Sequence, residues 1–503
     1  MGWYTNPVLF FLFSLAISPA NVSAQQDRPR TIVTTDGEID DVDSFVRLLL
    51  YGNEMQIEGL VYSSSMWHYK GDGNGTSMVS EMDMTRRMYG ERTDLRWPGE
   101  QWMQDIIADY AAVYDTLSRH ADGYPHPDSL LSLVKVGNIT FEGEMATDTE
   151  GSDHIKAVLL DADTSDVYLQ VWGGTNTIAR ALKSIEETYA GTDDWDSIYR
   201  RVCDKAVIYT VMDQDATYRN YVSQVWPDIP VLYNASQFFA LAYNWQKAVP
   251  RPLHRWLEGP FMGEHVINDH GPLTANYYSY GDGRQQAGDP EHIHGDPTRL
   301  DSAQWGSFQV YDFISEGDSP AFLHLLDVGL HSLDHPAWGG WGGRLVRSDS
   351  SVLRWADGAR AADYNPFTRR RDTTYAITRW LPAFQRDFAA RADWCVNGYD
   401  SANHAPEVTI EGEWQRTVKP GDKLTLRVAA TDPDGDALFY HWFQYGEVDT
   451  YPGEAMIILN GPELRVNVPR DIKSGQTLHL IVEVTDGGAP PLTRYGRVVL
   501  TAE

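Results

Sequence analysis

The strongest chemical signal in the chain is Asp36-Gly37-Glu38-Ile39-Asp40-Asp41. These residues follow an apolar β-branched run and precede an amphipathic stretch, so they fall where a first strand ends and a first helix begins. Glycine at 37 permits a sharp turn. Carboxylates crowded into one turn repel one another: two charges about 4 Å apart, at an effective dielectric near ~20, cost about 4 kcal/mol. A hard divalent cation relieves that repulsion, and calcium takes about six to eight oxygen ligands. Asp40 or Asp41 could instead cap the helix and complement its dipole, but capping does not account for Asp36. An EF-hand is excluded, because the ligand spacing and the closing glutamate are absent.

The elements that must hold these acids can be read around them. Thr31–Thr35 is expected as a strand, Val42–Tyr51 as a helix with apolar positions at Val42, Phe45, Val46, Leu49 and Leu50, and Ile57–Tyr62 as the next strand. Val167–Trp172 and Ala206–Val211 continue the strand pattern, with a helix over Thr177–Tyr189. Strand–helix–strand succession predicts an α/β fold with a doubly wound, mainly parallel sheet. Such sheets bind ligands beyond the carboxyl ends of their strands. From Ala405 onward the texture changes to short alternating runs separated by turn clusters, which predicts an antiparallel, Ig- or cadherin-like β-sandwich. The expected division is 1–24 as a signal peptide, 25–404 as the α/β domain and 405–503 as the sandwich.

Other segments offer weaker chemistry. Asp213 and Asp215 follow the apolar run Val207–Val211 and are read with equal weight as substrate-binding groups or as loop caps. Trp338 and Trp341, in Trp338-Gly339-Gly340-Trp341-Gly342-Gly343, pair flat rings with glycines and suit sugar stacking as well as a packed turn. His154 is read mainly as structural, and His292 with His294 lacks a further ligand at a usual metal spacing. Asp432-Pro433-Asp434-Gly435-Asp436 resembles a calcium-prone or Asx-type turn of cadherin-like domains, with plain turn chemistry as the main expectation.

The strand followed by Asp-x-x-x-Asp-Asp resembles the signature of inosine-uridine-type nucleoside hydrolases. The resemblance is closer still to the secreted, nucleoside-hydrolase-like branch of cellulose-binding proteins, which carry a C-terminal sandwich. It also rests on Gly173-Gly174-Thr175-Asn176-Thr177-Ile178-Ala179, Asp213-Gln214-Asp215, Glu316-Gly317-Asp318-Ser319-Pro320 and the Trp338–Gly343 segment. It implies a calcium-dependent hydrolase of glycosidic bonds in which Asp36 is both a calcium ligand and the base that activates a calcium-held water. Asp41 and Asp318 would be further ligands, with a backbone carbonyl near Asn176, and Asp40 would hold a sugar hydroxyl. Asn176 is also expected at the substrate. Three departures bear on the substrate. Thr34 stands where the family has a further aspartate, Gly317 stands where a histidine often assists the leaving base, and no asparagine-rich ribose-binding stretch is recognisable. A furanoside or another glycoside therefore fits the resemblance as well as a nucleoside. The alternative it implies is a carbohydrate-binding protein, for cellulose or another plant cell-wall polysaccharide, that does little or no catalysis.

Composition narrows the classes. The 503 residues are enough for more than one domain, and 42% hydrophobic with 22% charged residues is globular composition. With 41 basic against 71 acidic residues the formal charge is −30, which repels phosphate backbones and anionic membranes and argues against nucleic-acid polymers as partners. A sugar, a nucleoside or a polysaccharide is the expected partner, and a homo-oligomer is left open. The apolar run Val8–Ile17, followed by Val22-Ser23-Ala24, reads as a signal peptide and predicts a secreted or periplasmic protein. The run falls short of the about 20 apolar residues of a membrane span. Cys203 and Cys395 are too few for a disulfide framework, though an oxidising compartment would allow them to pair.

Overall fold

A computed structural model describes residues 28–288, 294–348 and 352–503. The expected signal segment 1–24 and His292 lie outside the described residues. Strand β1 (Arg30–Thr35) is built from Thr, Ile and Val and is buried along its whole length. Such a strand needs cover on both faces. Ile32 packs into one apolar cluster and Val33 into another, on opposite sides of the sheet.

Around β1 run β2 (Gln56–Tyr62), β3 (Val134–Val136), β4 (Val167–Val171), β5 (Ala206–Val211), β6 (Val231–Asn234), β7 (Val346–Arg347) and β8 (Arg354–Ala356). Among the described residues they form one sheet in the order β3-β2-β1-β4-β5-β6-β8-β7. Every pair is parallel except β7 with β8. The chain steps outward from β1 through β2 to β3, then returns to the other side of β1 for β4. The carboxyl ends of β1 and β4 are therefore the topological switch point, where a crevice opens. Helices α1 (Ile39–Leu50), α2 (Trp102–Leu117) and α7 (Leu381–Trp394) cover one face, and α3 (Glu150–Leu159), α4 (Asn176–Tyr189) and α5 (Trp195–Lys205) the other. Short α6 (Ser319–Leu323) packs with the first group. The expected doubly wound sheet is thus present, with strand limits within a residue of those read from the sequence.

The C-terminal part forms two four-stranded sheets. One is β9 (Glu407–Ile410), β11 (Lys423–Thr431), β14 (Glu463–Asn467) and β13 (Met456–Asn460); the other is β10 (Gln415–Val418), β16 (Thr493–Ala502), β15 (Thr477–Thr485) and β12 (Phe439–Gln444). All neighbours are antiparallel except β10 with β16. Strands β10 and β13 have no counterpart in the sequence reading. β10 contributes one buried residue, Val418, and β13 is largely exposed, so neither has a clean alternation to detect.

The sandwich is packed into the α/β body. Tyr445, Ile481 and Tyr495 belong to the same apolar cluster as α1 and α7. Trp341 is 1% exposed, against Phe384, with Tyr495 and the Arg494 guanidinium over it. Trp338 packs edge-on against Trp414 and His479, and its carbonyl accepts from Arg497. Both tryptophans lie at the junction of the two parts; the packed-turn reading holds for the buried Trp341, which has no face left for a sugar, while Trp338 is half-buried and lines no part of the cavity. Cys203 and Cys395 are buried and unpaired. Among the described residues no helix is long and apolar enough to cross a membrane.

A buried charge pair crosses the same junction. Asp387 on α7 accepts from Arg391 (3.0 Å) and from Arg494 of β16 (2.7 Å). Burial alone would push its carboxyl up, but Arg494 and then Arg391 hold it down at about 2. The stabilisation is therefore complete above the ordinary carboxylate range and fades as the pH falls through the lowered value. Arg494→Ala should cost about 3 kcal/mol in urea unfolding at neutral pH, because it removes the nearer of the two partners of a buried charge and leaves Asp387 with Arg391 alone. That cost should shrink in strong acid, and a loss that does not depend on pH would show that packing, not charge, holds the junction.

Candidate active site

The loop from β1 into α1 carries the acids. Gly37 has φ +79°, and a side chain there would strike Pro98 and Trp102, so only glycine makes the turn. The turn drops Asp36 into the sheet and starts α1 at Ile39. Asp40 and Asp41 stand in the first helical turn, where the helix dipole favours anions. Asp318, at the N-terminus of α6, approaches from far along the chain. Carboxylate oxygens of Asp40, Asp41 and Asp318 all lie within 4.8 Å of one another.

Two braces hold this arrangement. Arg47, fully buried on α1, pairs with Glu316 at 2.7 Å, two residues before Asp318. Glu316 also accepts from Tyr277 and from Ser319, and the Ser319 hydroxyl meets Ser44 of α1 at 3.1 Å. The second brace is local: the Thr35 hydroxyl donates to Asp41 at 2.5 Å.

Asp36 is 1% exposed. Its Oδ1 accepts weakly from the Glu38 amide at 3.3 Å, while Oδ2 is buried without a hydrogen bond and stands 3.6 Å from His68 Nδ1. Gly173, beyond the end of β4, presses on it: a Cβ there would lie 2.9 Å from the Asp36 Cβ and Cγ. The four acids differ in charge state. Burial, followed by the charges of their acidic neighbours, pushes Asp40, Asp41 and Asp318 well above the ordinary carboxylate range. For Asp36 burial acts the same way, but the His68 ring overrides it and holds the carboxyl below its ordinary value. The surroundings therefore push Asp36 in one direction and Asp40, Asp41 and Asp318 in the other.

Asp40 and Asp318 open into a cavity of about 740 Å³. Its wall includes Trp67, Trp172, Phe238, Phe239, Tyr243 and Trp305, with Glu38, Arg96 and Gln214 as polar groups. The Tyr243 hydroxyl donates to Glu38 at 2.9 Å, and Arg96 lies 3.8 Å from the same carboxylate. His294 also faces the cavity and stacks on Tyr243.

Several expected residues take other places. The Asn176 side chain is spent within the fold: it accepts from Ser63 and donates to Ser64 and to the Asn138 and Glu144 carbonyls. Its amide N–H donates to Asp215 at 2.8 Å. Asp215 also accepts from the Thr217 amide, and Asp213 from the Arg219 amide, so both act as caps. Gln214 between them is the residue that lines the cavity. His154 bonds to the Glu58 carbonyl in β2, before the carboxyl end of that strand. Asp40, expected at a sugar hydroxyl, stands in the tight acidic trio, and Asp36 stands just outside it. At Gly317 a Cβ would come within 2.7 Å of Asp40 Oδ2, so the missing side chain leaves that acid its room. His68, Trp67, Glu38, Arg96 and Tyr243 were not singled out from the sequence. The signal for the first two was available, since Ser63-Ser64-Ser65-Met66-Trp67-His68 leaves β2 directly beside β1.

Comparison with known proteins agrees with this layout. Residues 30–345 match the family described as cellulose-binding Sde182, nucleoside hydrolase-like domain. Residues 423–502 match the C-terminal domain of the cellulose-binding protein Sde0182. Among solved structures, a nucleoside hydrolase-related hypothetical protein from Saccharophagus degradans, associated with carbohydrate metabolism, aligns with a TM-score of 0.70 at 25% identity, over 95% of this chain and 100% of its own. The plant nucleoside hydrolase PpNRh1 aligns with a TM-score of 0.34 at 10% identity, over 73% of this chain and 99% of its own. No curated protein matches the chain. The family match spans more than half of the sequence and contains the whole acidic constellation, and on it the chain belongs to the cellulose-binding Sde182 family with a nucleoside hydrolase-like domain.

Proposed function

We propose that the chain is a calcium-dependent hydrolase of glycosidic bonds, secreted and acting on a nucleoside, a furanoside or a related glycoside. The observation that carries this reading is the convergence of Asp40, Asp41 and Asp318, whose carboxylate oxygens lie within 4.8 Å of one another, next to the buried Asp36, with Asp40 and Asp318 lining a large cavity. The division into an α/β domain over 25–404 and a sandwich over 405–503 is part of the same proposal.

The residues present fit a hard cation. Every donor is a carboxylate oxygen, Asp36 Oδ2 and Asp318 Oδ2 are buried without a protein hydrogen bond, and no basic side chain is paired with the trio among the described residues. Asp41 and Asp318 would hold calcium, with Asp40 and Asp36 on either side. When bound, calcium acts as a Lewis acid that makes a water easier to deprotonate. Asp36 Oδ2 would be the base for the attacking water, with His68 behind it to steady the charge. Asp40, facing the cavity, accepts from a sugar hydroxyl. Water would add to the anomeric carbon with inversion as the glycosidic bond breaks, the leaving group taking the bonding electron pair and a proton from water in the cavity. The aromatic wall stacks on the sugar or the leaving group and keeps bulk water out.

A second reading is favoured by the same wall and by the description of the family as cellulose-binding: the cavity holds a cell-wall polysaccharide chain without cleaving it. Hydrolysis of nucleosides and aryl furanosides, run beside sedimentation with insoluble cellulose, separates the two. Asp36→Asn should lower kcat by about 10²–10⁴-fold while leaving the melting temperature near that of the unmodified protein. Full turnover in that variant would remove the mechanism.

Metal removal gives a second expectation. In the calcium-free protein, Asp40, Asp41 and Asp318 bind protons more tightly than in the unfolded chain, so stability falls as the pH rises above the ordinary carboxylate range. Saturating calcium should flatten that slope and raise the melting temperature most at alkaline pH. Asp318→Asn should stabilise the calcium-free protein and remove the alkaline part of the calcium response, which comes from this trio. Identical melting profiles with calcium and with chelator would deny the site its metal.

A further inference from the structure

The turn between β11 and β12 contains Asp432, Asp434 and Asp436. Turn chemistry accounts for one oxygen: Asp432 Oδ1 accepts from the amides of Asp434 (3.0 Å) and Asp436 (2.9 Å). It does not account for three carboxylates whose oxygens come within 4.8 Å of one another, nor for Asp432 Oδ2, which is buried without a partner.

A fourth acid arrives from another strand. Thr485, the last residue of β15, pairs with Phe439, the first of β12, so Asp486 emerges at the same end of the sandwich. Gly487 lies against the Ala437 carbonyl, and the two turns touch. Asp486 is 1% exposed, and its Oδ1 is saturated by Asn403 Nδ2 and the amides of Gly488 and Leu492. Its Oδ2 is buried with no hydrogen bond. Burial and then the Asp432 charge push this carboxyl up, which places the two acids within each other's field. Among the described residues no lysine or arginine pairs with any of the four.

The same acids hold the segment that joins the two parts of the chain. Asp434 accepts from the His404 amide at 2.7 Å and meets His404 Nδ1 at 3.0 Å, while Asn403 is bound to Asp486. His404 in turn stacks on Tyr399 and Trp394.

We propose that Asp432, Asp434 and Asp436, backed by the buried Asp486, form a second divalent-cation site, calcium by its all-oxygen donor set, which pins the Asn403-His404 linker to the sandwich. The site is separate from the acids of the cavity and does not depend on how those acids act.

The test is calorimetric titration of calcium-stripped full-length protein with calcium chloride. The unmodified chain should take up two ions, and Asp432→Asn/Asp436→Asn and Asp41→Asn/Asp318→Asn one each. A single ion lost only with the sandwich pair would uphold this site and remove the metal from the cavity. A sandwich variant that binds as many ions as the unmodified chain overturns the proposal, as does an unmodified chain that binds none, or one lost only with Asp41 and Asp318. Asp486→Asn is a gentler variant, since an amide oxygen can still accept from Asn403, Gly488 and Leu492. It should keep the unmodified circular dichroism and weaken calcium at this site by about tenfold or more; unchanged affinity there also overturns the proposal.

Discussion

Four carboxylates brought to one point repel, and the fold around the switch point exists to hold them there. Asp318 is more than two hundred residues from Asp41 in sequence, and the buried pair of Arg47 with Glu316 is the charged contact between their segments, beside the Ser319–Ser44 hydrogen bond. Burying such a pair has little net value for stability, because desolvation offsets most of the attraction. Its value is geometric. Arg47 also meets Gln385 and stacks on the Phe388 ring of α7, so one guanidinium sets α1, α7 and the Asp318 loop against one another. An apolar substitute would fill the space without dictating the register of the loop.

The charge states follow from that enforced proximity. Three of the acids resist ionisation because they face each other in a dry site, and the fourth is exempt because a histidine lies behind it. The site thus sets carboxyls pushed in opposite directions at neighbouring positions, using the same residue type for both. Gly173 matters for the same reason: the β4 turn comes so near Asp36 that no side chain fits between them.

Much of this was legible in the sequence. Asp36, Asp40 and Asp41 stood out because three acids in one turn have no structural excuse, and Asp318 was reached through the family resemblance. The strands were legible where β-branched residues run unbroken, as in Thr31–Thr35. What the sequence concealed was direction. Trp341 reads equally as a sugar platform or a packed turn because flat rings beside glycines look alike whether they meet a sugar or a second sheet; Tyr495, far along the chain, decides the matter. Asn176 and Asp215 read as ligand-binding groups because they sit at the correct sheet edge, yet they bind each other. His68 escaped notice as a lone histidine in a polar run, since only the pairing of β2 with β1 brings it behind Asp36.

The cluster shared by the two parts has a mechanical meaning. Tyr445, Ile481 and Tyr495 are as much a part of the interior of the α/β body as of the sandwich. Many two-part enzymes carry their second module on a tether, so that it searches a surface while the first half waits. Here the second module is packed onto the first through that cluster, so side-chain packing, more than a linker, sets how the sandwich faces the cavity.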